Sequence, residues 1–166
     1  LTQQVIRLAR KGQSRTYFEK AIELILATRL EFRYSKDKIV ELYAAHAPFG
    51  GNVVGLEMAS WRYFGLKPNQ LSWSESATLA VLPNAPSLIF PGKNQDLLLA
   101  KRNLLLQKLN NNGTIDSETY NLALAEPLVG KPFALPELAP HLVQKMAKTY
   151  GGKKVQSSID YEIQSR

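Results

Sequence analysis

The sequence predicts an all-α fold, and three features of the chain indicate it. Apolar side chains recur at helical spacing in most segments; residues 17–32 show this spacing most clearly, at Phe18, Ile22, Ile25 and Phe32. Helix-capping signals flank several of these segments, such as the capping box that runs from Ser72 to Glu75. Alternation typical of a strand is confined to residues 153–166 near the C-terminal end.

The apolar spacing and the caps place the helices in order along the chain. Ser35 and Asp116 are suited to N-cap the helices that follow them, and Gly113 gives a C-terminal signal. The Pro-rich residues 131–140 are predicted to be extended. The predicted helices cover residues 1–11, 17–32, 36–45, a segment that ends at Gly65, 76–82, 96–111, 117–125 and 141–150.

Length and composition limit the class of protein. A chain of 166 residues is long enough for one domain with a hydrophobic core. Its net charge of +7 favours anionic partners, and the absence of cysteine excludes disulfides and Cys-metal sites. No run of apolar residues is long enough to cross a bilayer. The chain starts without Met, so we expect it to be part of a longer protein, with any membrane anchor outside it.

The Gly-rich segment from Pro48 to Gly55 is predicted to be a loop. Gly50 and Gly51 permit positive φ angles and a close approach of the backbone to a ligand, so backbone N–H groups there could hold a phosphate. A tight connection between packed helices is the alternative. The segment matches neither nucleotide-binding glycine motif.

Several charged residues are candidates for a site, and each has a plain structural alternative. Glu23 follows Lys20 on an amphipathic helix, where most carboxylates are solvated. Glu41 follows Lys38 by three residues, a spacing that favours an ion pair on the helix surface. Arg7 and the polar residues before it could be a solvated helix start. The residues alone leave both interpretations open.

The order of these motifs resembles the glycosyltransferase domain of class A penicillin-binding proteins. The resemblance covers most of the chain, and its motifs are TQQ (2–4), EKAIE (19–23), RYSKDKIVELY (33–43), FGGNVVGLEMASWRYFG (49–65) and LPNAPS (82–87). The phrase APFGGNVVG (47–55) resembles the 1C subgroup. Residues 153–166 resemble the opening of the transpeptidase region that follows in such proteins.

The resemblance implies a lysozyme-like, multi-helix glycosyltransferase domain over residues 1–150, truncated at its N-terminus. Residues 151–166 would be a linker and the start of the transpeptidase region. The family's Glu-Asp-x-x-Phe motif, which carries the catalytic base, is expected to precede Leu1. The chain by itself is therefore not expected to polymerise substrate.

The implied activity is polymerisation of lipid II into glycan strands with release of undecaprenyl diphosphate. The resemblance implies a catalytic role for Glu23, and a divalent magnesium or manganese ion at the diphosphate. No dedicated protein metal site is predicted, because His46 and His141 are far apart and no ligand cluster surrounds them. The implied substrate-binding residues are Thr2, Gln3, Gln4, Arg7, Lys20, Glu41, Gly50, Gly51 and Asn52.

Two positions depart from the family pattern: Glu19 replaces a basic residue, and Ala44-Ala45 replaces a Leu-Asn pair. The implied partners are lipid II, the growing glycan strand, the membrane surface and other cell-wall synthesis proteins, at the periplasmic face of the inner membrane. A non-catalytic scaffold or interaction module is the alternative. A nucleic-acid-binding domain is disfavoured, because the Lys and Arg residues are dispersed and form no known motif.

Overall fold

The computed structural model describes residues 1–10, 16–134, 139–151, 155–160 and 163. It divides into two compact units, Leu1–Phe133 and Ala134–Arg166. The first unit contains a short antiparallel hairpin, β1 (Pro48–Gly50) and β2 (Val53–Val54). The helices are α1 (Thr2–Ala9), α2 (Tyr17–Arg33), α3 (Lys36–His46), α4 (Leu56–Phe64), α5 (Trp73–Val81), α6 (Gln95–Asn111), α7 (Ser117–Ala125) and α8 (Pro140–Tyr150).

The all-α prediction is confirmed, and the predicted caps begin their helices. The side chains of Ser35, Ser72 and Asp116 each accept a hydrogen bond from the backbone N–H three residues later. The capping box of α5 is complete, because Glu75 Oε2 accepts a hydrogen bond of 2.9 Å from the Ser72 N–H. Gly65 ends α4 in the left-handed conformation, with φ of 71°. Local sequence therefore fixes most helix boundaries.

The Gly-rich segment is a hairpin and not the loop that the sequence predicts. Gly51 and Asn52 connect β1 to β2 with φ angles of 55° and 62°, which suits a two-residue turn of the type that matches strand twist. The buried Tyr63 hydroxyl donates to the carbonyl oxygens of Phe49 (3.1 Å) and Gly50 (2.9 Å). Tyr63 thereby anchors the hairpin to α4.

The buried residues are concentrated in the hairpin and in α4 to α7. One cluster joins the hairpin, α4, α5, the turn after α5 and α6, and includes Phe49, Val53, Ala59, Tyr63, Leu79, Leu82, Ile89 and Leu98. A second joins α5, α6 and α7, and consists of Ala77, Leu106, Ile115 and Ala123. Burial of this apolar surface supplies most of the driving force for folding.

A buried arginine connects three elements around the second cluster. Arg102 on α6 is 1% exposed, and its Nη1 donates to Ser74 Oγ at 2.9 Å and to the Glu126 carbonyl at 2.7 Å. Its Nη2 donates to the Leu124 carbonyl at 3.4 Å. Burial lowers the pKa of the Arg102 guanidinium. Arg102 thus ties the end of α7 to α5 and satisfies backbone groups that would otherwise lack partners.

The first three helices bury far less. Helix α1 has no buried residue, and α2 buries only Ala27. The apolar face that the sequence indicates on α2 is solvent-exposed, with Phe18, Ile25 and Phe32 at 74%, 68% and 88% exposure. The helical spacing of these side chains is therefore as predicted, but no described residue covers them.

The second unit contains α8 and the described residues 155–160, which have no regular secondary structure. The strand-like alternation of the sequence is thus not accompanied by strand pairing in this described part. The remainder of the predicted segment, at 153–154, 161–162 and 164–166, lies outside the described residues. None of the helices that the structure describes combines the length and the apolar character needed to cross a bilayer.

Candidate active site

Helices α1 and α2 lie antiparallel and are joined by a polar contact near each end of α1. Thr2 Oγ1 donates to Glu31 Oε1 at 2.6 Å, and Arg10 Nη2 pairs with Glu19 Oε2 at 2.7 Å. The residue numbers run in opposite directions along the two helices, so the contacts fix both orientation and register. The charge of Glu19 is offset by Arg10.

Glu23 lies on α2 between these two contacts, one turn after Glu19. Its side chain is half-buried, and it makes no hydrogen bond or ion pair with any side chain that the structure describes. Lys20, one turn before it, is exposed and is likewise without an ion pair among the described residues. The Glu23 carboxylate is thus not committed to a protein contact within the described chain.

A cleft of about 420 Å³ opens between α1, α3, the hairpin and the turn after α5. Two of the site residues predicted from the sequence, Gln4 and Arg7, lie in its wall. Arg7 has no carboxylate partner among the described residues, so its positive charge is available to an anion in the cleft. The remaining lining residues are Leu8, Tyr43, Pro48, Pro83 and Pro86.

Tyr43, whose side chain carries a hydroxyl group, also lines this wall. Burial raises the pKa of that hydroxyl, so it stays protonated at neutral pH and can donate a hydrogen bond. The helical spacing predicts Tyr43 on the buried side of α3 and gives no sign of its place in the cleft. The LPNAPS motif did signal the turn that carries Pro83 and Pro86.

The hairpin glycines have different environments. Gly50 is buried, and a Cβ at that position would lie 2.7 Å from Phe90 Cβ and 2.9 Å from the Pro86 carbonyl oxygen. Gly51 and Asn52 are exposed at the turn. Gly50 is thus required for packing the hairpin against the proline turn, whereas the turn residues are free to contact a ligand.

The other predicted site residues do not converge on the cleft lining. Glu41 is exposed and forms a 2.7 Å ion pair with Lys38, as its spacing favours. Thr2 is engaged by Glu31, and Gln3 is exposed. Their proposed contacts with substrate stay predictions. Among the residues that the structure describes, no group of three or more His, Asp or Glu side chains could hold a metal ion.

Similarity to known proteins supports the interpretation of the motifs. Residues 1–110 match the family model described as Transglycosylase. The chain is 37% identical over 166 residues to penicillin-binding protein 1C of Escherichia coli K12, a match that covers 100% of this chain and 21% of the relative. It is 35% identical over 136 residues to penicillin-binding protein 1B of the same organism, covering 80% of this chain and 16% of the relative.

The crystal structure of penicillin-binding protein 1A from Haemophilus influenzae has a similar fold. The TM-score is 0.58 at 32% sequence identity, over 71% of this chain and 18% of that one. This similarity confirms the predicted lysozyme-like, multi-helix domain. The chain spans about a fifth of the length of these relatives. From its motifs, its fold and these matches, the chain belongs to the transglycosylase family, the glycosyltransferase domain of class A penicillin-binding proteins.

Proposed function

We propose that this chain acts in the polymerisation of lipid II into peptidoglycan glycan strands, with release of undecaprenyl diphosphate. The observation that carries the proposal is the unpaired charge around α1 and α2. Arg7 lines the cleft without a carboxylate partner among the described residues, and Glu23 is half-buried without one of its own. Such groups are suited to bind a charged substrate.

The chemistry defines what these residues have to do. A sugar 4-hydroxyl attacks the anomeric carbon, the bond from that carbon to the diphosphate oxygen breaks, and the hydroxyl proton passes to a base. Negative charge develops on the departing diphosphate. In our proposal Lys20 and Arg7 stabilise that charge, because cations placed at a leaving group lower the barrier. Gln3, Gln4 and Thr2 would orient the substrate at the start of α1, and Glu41 would support the cleft from α3.

The hairpin would supply backbone donors at the other side of the cleft. Gly51 and Asn52 are exposed at the turn, and turn backbone with successive positive φ angles can offer N–H groups to an anion. Gly50 holds this turn against the proline turn by its close packing. We therefore assign Gly51 and Asn52 to substrate contact and Gly50 to positioning.

Glu23 is also suited to a divalent cation at the diphosphate. Mg²⁺ is usually held by one or two carboxylates together with substrate phosphates, and Glu23 offers one carboxylate without a competing ion pair in the described chain. Magnesium or manganese bound there would neutralise phosphate charge. Lys20 would then share the same phosphate oxygens from the preceding turn of α2.

In this proposal the protein works at the periplasmic face of the inner membrane, where it meets lipid II, the growing strand and other cell-wall synthesis proteins. Residues 151–166 would lead into a transpeptidase region. A non-catalytic interaction module is the second candidate. The exposed apolar face of α2, formed by Phe18, Ile25 and Phe32, favours that alternative.

Glu23→Gln in the full-length protein tests the proposal. The substitution keeps size and helix propensity and removes the charge. We expect polymerisation of labelled lipid II to fall by about 10²-fold or more, with a melting temperature close to that of the parent. Lys20→Ala should lower the rate in the same direction. If the chain is only an interaction module, the rate of lipid II polymerisation should not depend on Glu23 or Lys20.

Glu75→Gln is the matched control. Glu75 completes the capping box of α5 and lies outside the cleft lining, so its loss should cost about 1 kcal/mol or less and should spare turnover of the folded enzyme. If Glu23→Gln polymerises lipid II at the parental rate, the assignment of the site is wrong.

A further inference from the structure

A second pocket lies at the C-terminal end of α4 and shares no residue with the cleft. Its volume is about 700 Å³, within the usual range of roughly 300–1,000 Å³ for small-ligand sites. Trp61 lines it and is 38% exposed, so part of its indole ring faces the solvent. Around the indole lie Glu57, Lys67, Asn69 and Gln70.

The wall of this pocket is held in shape by hydrogen bonds. The Gly65 N–H donates to the Trp61 carbonyl at 2.8 Å, which closes α4. Ser60 Oγ donates to the Leu66 carbonyl at 2.6 Å, which fixes the start of the following segment. These contacts mean that a ligand would meet a largely preformed surface, which lowers the entropic cost of binding.

The loop that completes the pocket is fixed at both of its ends. The Lys67 N–H donates to Gln70 Oε1 at 3.1 Å, and the Gln70 N–H donates back to the Lys67 carbonyl at 2.9 Å. The Gln70 amide nitrogen is therefore oriented while its own hydrogens stay available. Asn69 lies between the two, within the 3₁₀ turn Pro68–Gln70.

Three polar side chains of the pocket have no partner in the described part of the chain. The Glu57 carboxylate, the Lys67 ammonium and the Asn69 amide make no hydrogen bond or ion pair there. The set contains one negative charge, one positive charge and two neutral amides. It is thus balanced in charge, unlike a phosphate site.

We propose that this pocket binds a neutral N-acetylhexosamine unit of a glycan strand. A pyranose ring has one face of C–H groups that packs on the negative face of an aromatic ring, and Trp61 offers such a face. Its edge carries hydroxyl and acetamido groups, which pair with carboxylate and amide side chains such as Glu57 and Asn69. The combination of one exposed indole, the unpartnered Asn69 amide and the available amide hydrogens of Gln70 carries the inference.

The role of the site rests on the proposed function. A strand held at Trp61, outside the cleft, stays attached to the protein between successive additions, because the second binding event becomes intramolecular. The site therefore acts on product length and not on the reacting bond. Loss of the site shortens the strands and leaves the initial rate of lipid II consumption unchanged.

Titration calorimetry with a soluble β-linked N-acetylglucosamine oligomer, chitotetraose, tests binding directly on the full chain. We expect saturable binding by the parent and at least about tenfold weaker binding by Trp61→Ala, the usual size of effect for a central aromatic anchor. Asn69→Ala, at an exposed position of the 3₁₀ turn, should weaken binding without affecting the fold. Inorganic diphosphate should not compete.

Trp73→Phe is the matched control, since Trp73 is also exposed, at 46%, and lies outside the pocket. Within these 166 residues it also leaves Trp61 as the one tryptophan, so that saturable quenching of its fluorescence by the oligomer in the 166-residue chain reports on this site. Absence of binding by the parent, undiminished binding by Trp61→Ala, or displacement by diphosphate would each overturn the inference. Glu23→Gln should bind the oligomer like the parent, so failure of the proposed function is seen separately.

Discussion

Replacing Gly50 with alanine separates the packing role of the hairpin from its proposed role in substrate contact. Gly50 has a φ angle of 87°, which an L-residue adopts only with strain. The added Cβ would lie 2.7 Å from Phe90 Cβ and 2.9 Å from the Pro86 carbonyl oxygen. Both contacts are to atoms that side-chain rotation cannot move, so the backbone itself has to shift.

The expected loss of stability has two unfavourable contributions and one favourable contribution. The positive φ costs about 1–2 kcal/mol for a residue with a Cβ. Overpacking in a well-filled core adds about 1–3 kcal/mol. Alanine also lowers the conformational entropy of the unfolded chain, which offsets about 0.4–1 kcal/mol of this loss. Gly50→Ala should therefore lower the free energy of unfolding by about 1–5 kcal/mol, a large part of the ~5–15 kcal/mol typical of a domain.

Gly113→Ala is the control, because it keeps the strain of a positive φ angle and removes the overpacking. Gly113 has a φ angle of 69°, and no heavy atom lies within 4 Å of the point that an alanine Cβ would occupy there. Its cost should be about 1 kcal/mol or less. Urea denaturation followed by far-UV circular dichroism measures both variants. Costs that agree within about 0.5 kcal/mol would refute the argument that Gly50 is kept for close packing.

Two further substitutions address the buried polar groups. Arg102→Met leaves Ser74 Oγ and two carbonyl oxygens without their hydrogen-bond donor, so the free energy of unfolding measured in urea should fall by about 2–4 kcal/mol. The control Arg29→Met replaces an exposed arginine and should change the free energy of unfolding by at most about 0.5 kcal/mol. Burial raises the pKa of Tyr63 to about 12, whereas the ordinary pKa of tyrosine is about 10. The protonated hydroxyl therefore stabilises the folded protein fully below pH 10, and this stabilisation declines as the pH rises from 10 to 12. Tyr63→Phe should therefore lower the free energy of unfolding by about 1–2 kcal/mol at pH 8. The difference in this free energy between the variant and the parent should be smaller at pH 11, and an unchanged difference contradicts the stabilising role of the protonated Tyr63 hydroxyl.

The helices could be predicted because their signals are local. Periodicity and caps such as Ser35 and Asp116 act within a few residues, and the structure has these caps. The hairpin was missed although its signal was present, since Gly51-Asn52 between two apolar runs is typical of a two-residue turn. Periodicity also could not reveal that Phe32 is exposed, because it reports which side of a helix is apolar and not what covers it.

Of the site residues that the sequence predicts, only two on the same helix line the cleft. Gln4 and Arg7 share α1, and both lie in the cleft. Tyr43 and Pro86 belong to segments far apart in the sequence, and only tertiary packing brings them to the same wall. Spacing along one chain carries no information on such convergence. The pocket at Trp61 was missed although its lining residues lie within one segment, 57–70, because no motif in the sequence marks them as a pocket.

The uneven distribution of buried residues has a consequence for how this protein tolerates change. Residues that decide whether the chain folds lie mostly in the hairpin and in α4 to α7, whereas the proposed substrate contacts of α1 and α2 bury little. Substitutions in the two groups act on largely separate properties, abundance in the first and turnover in the second. The first two helices can thus vary in sequence, and acquire altered specificity, with little loss of folded protein.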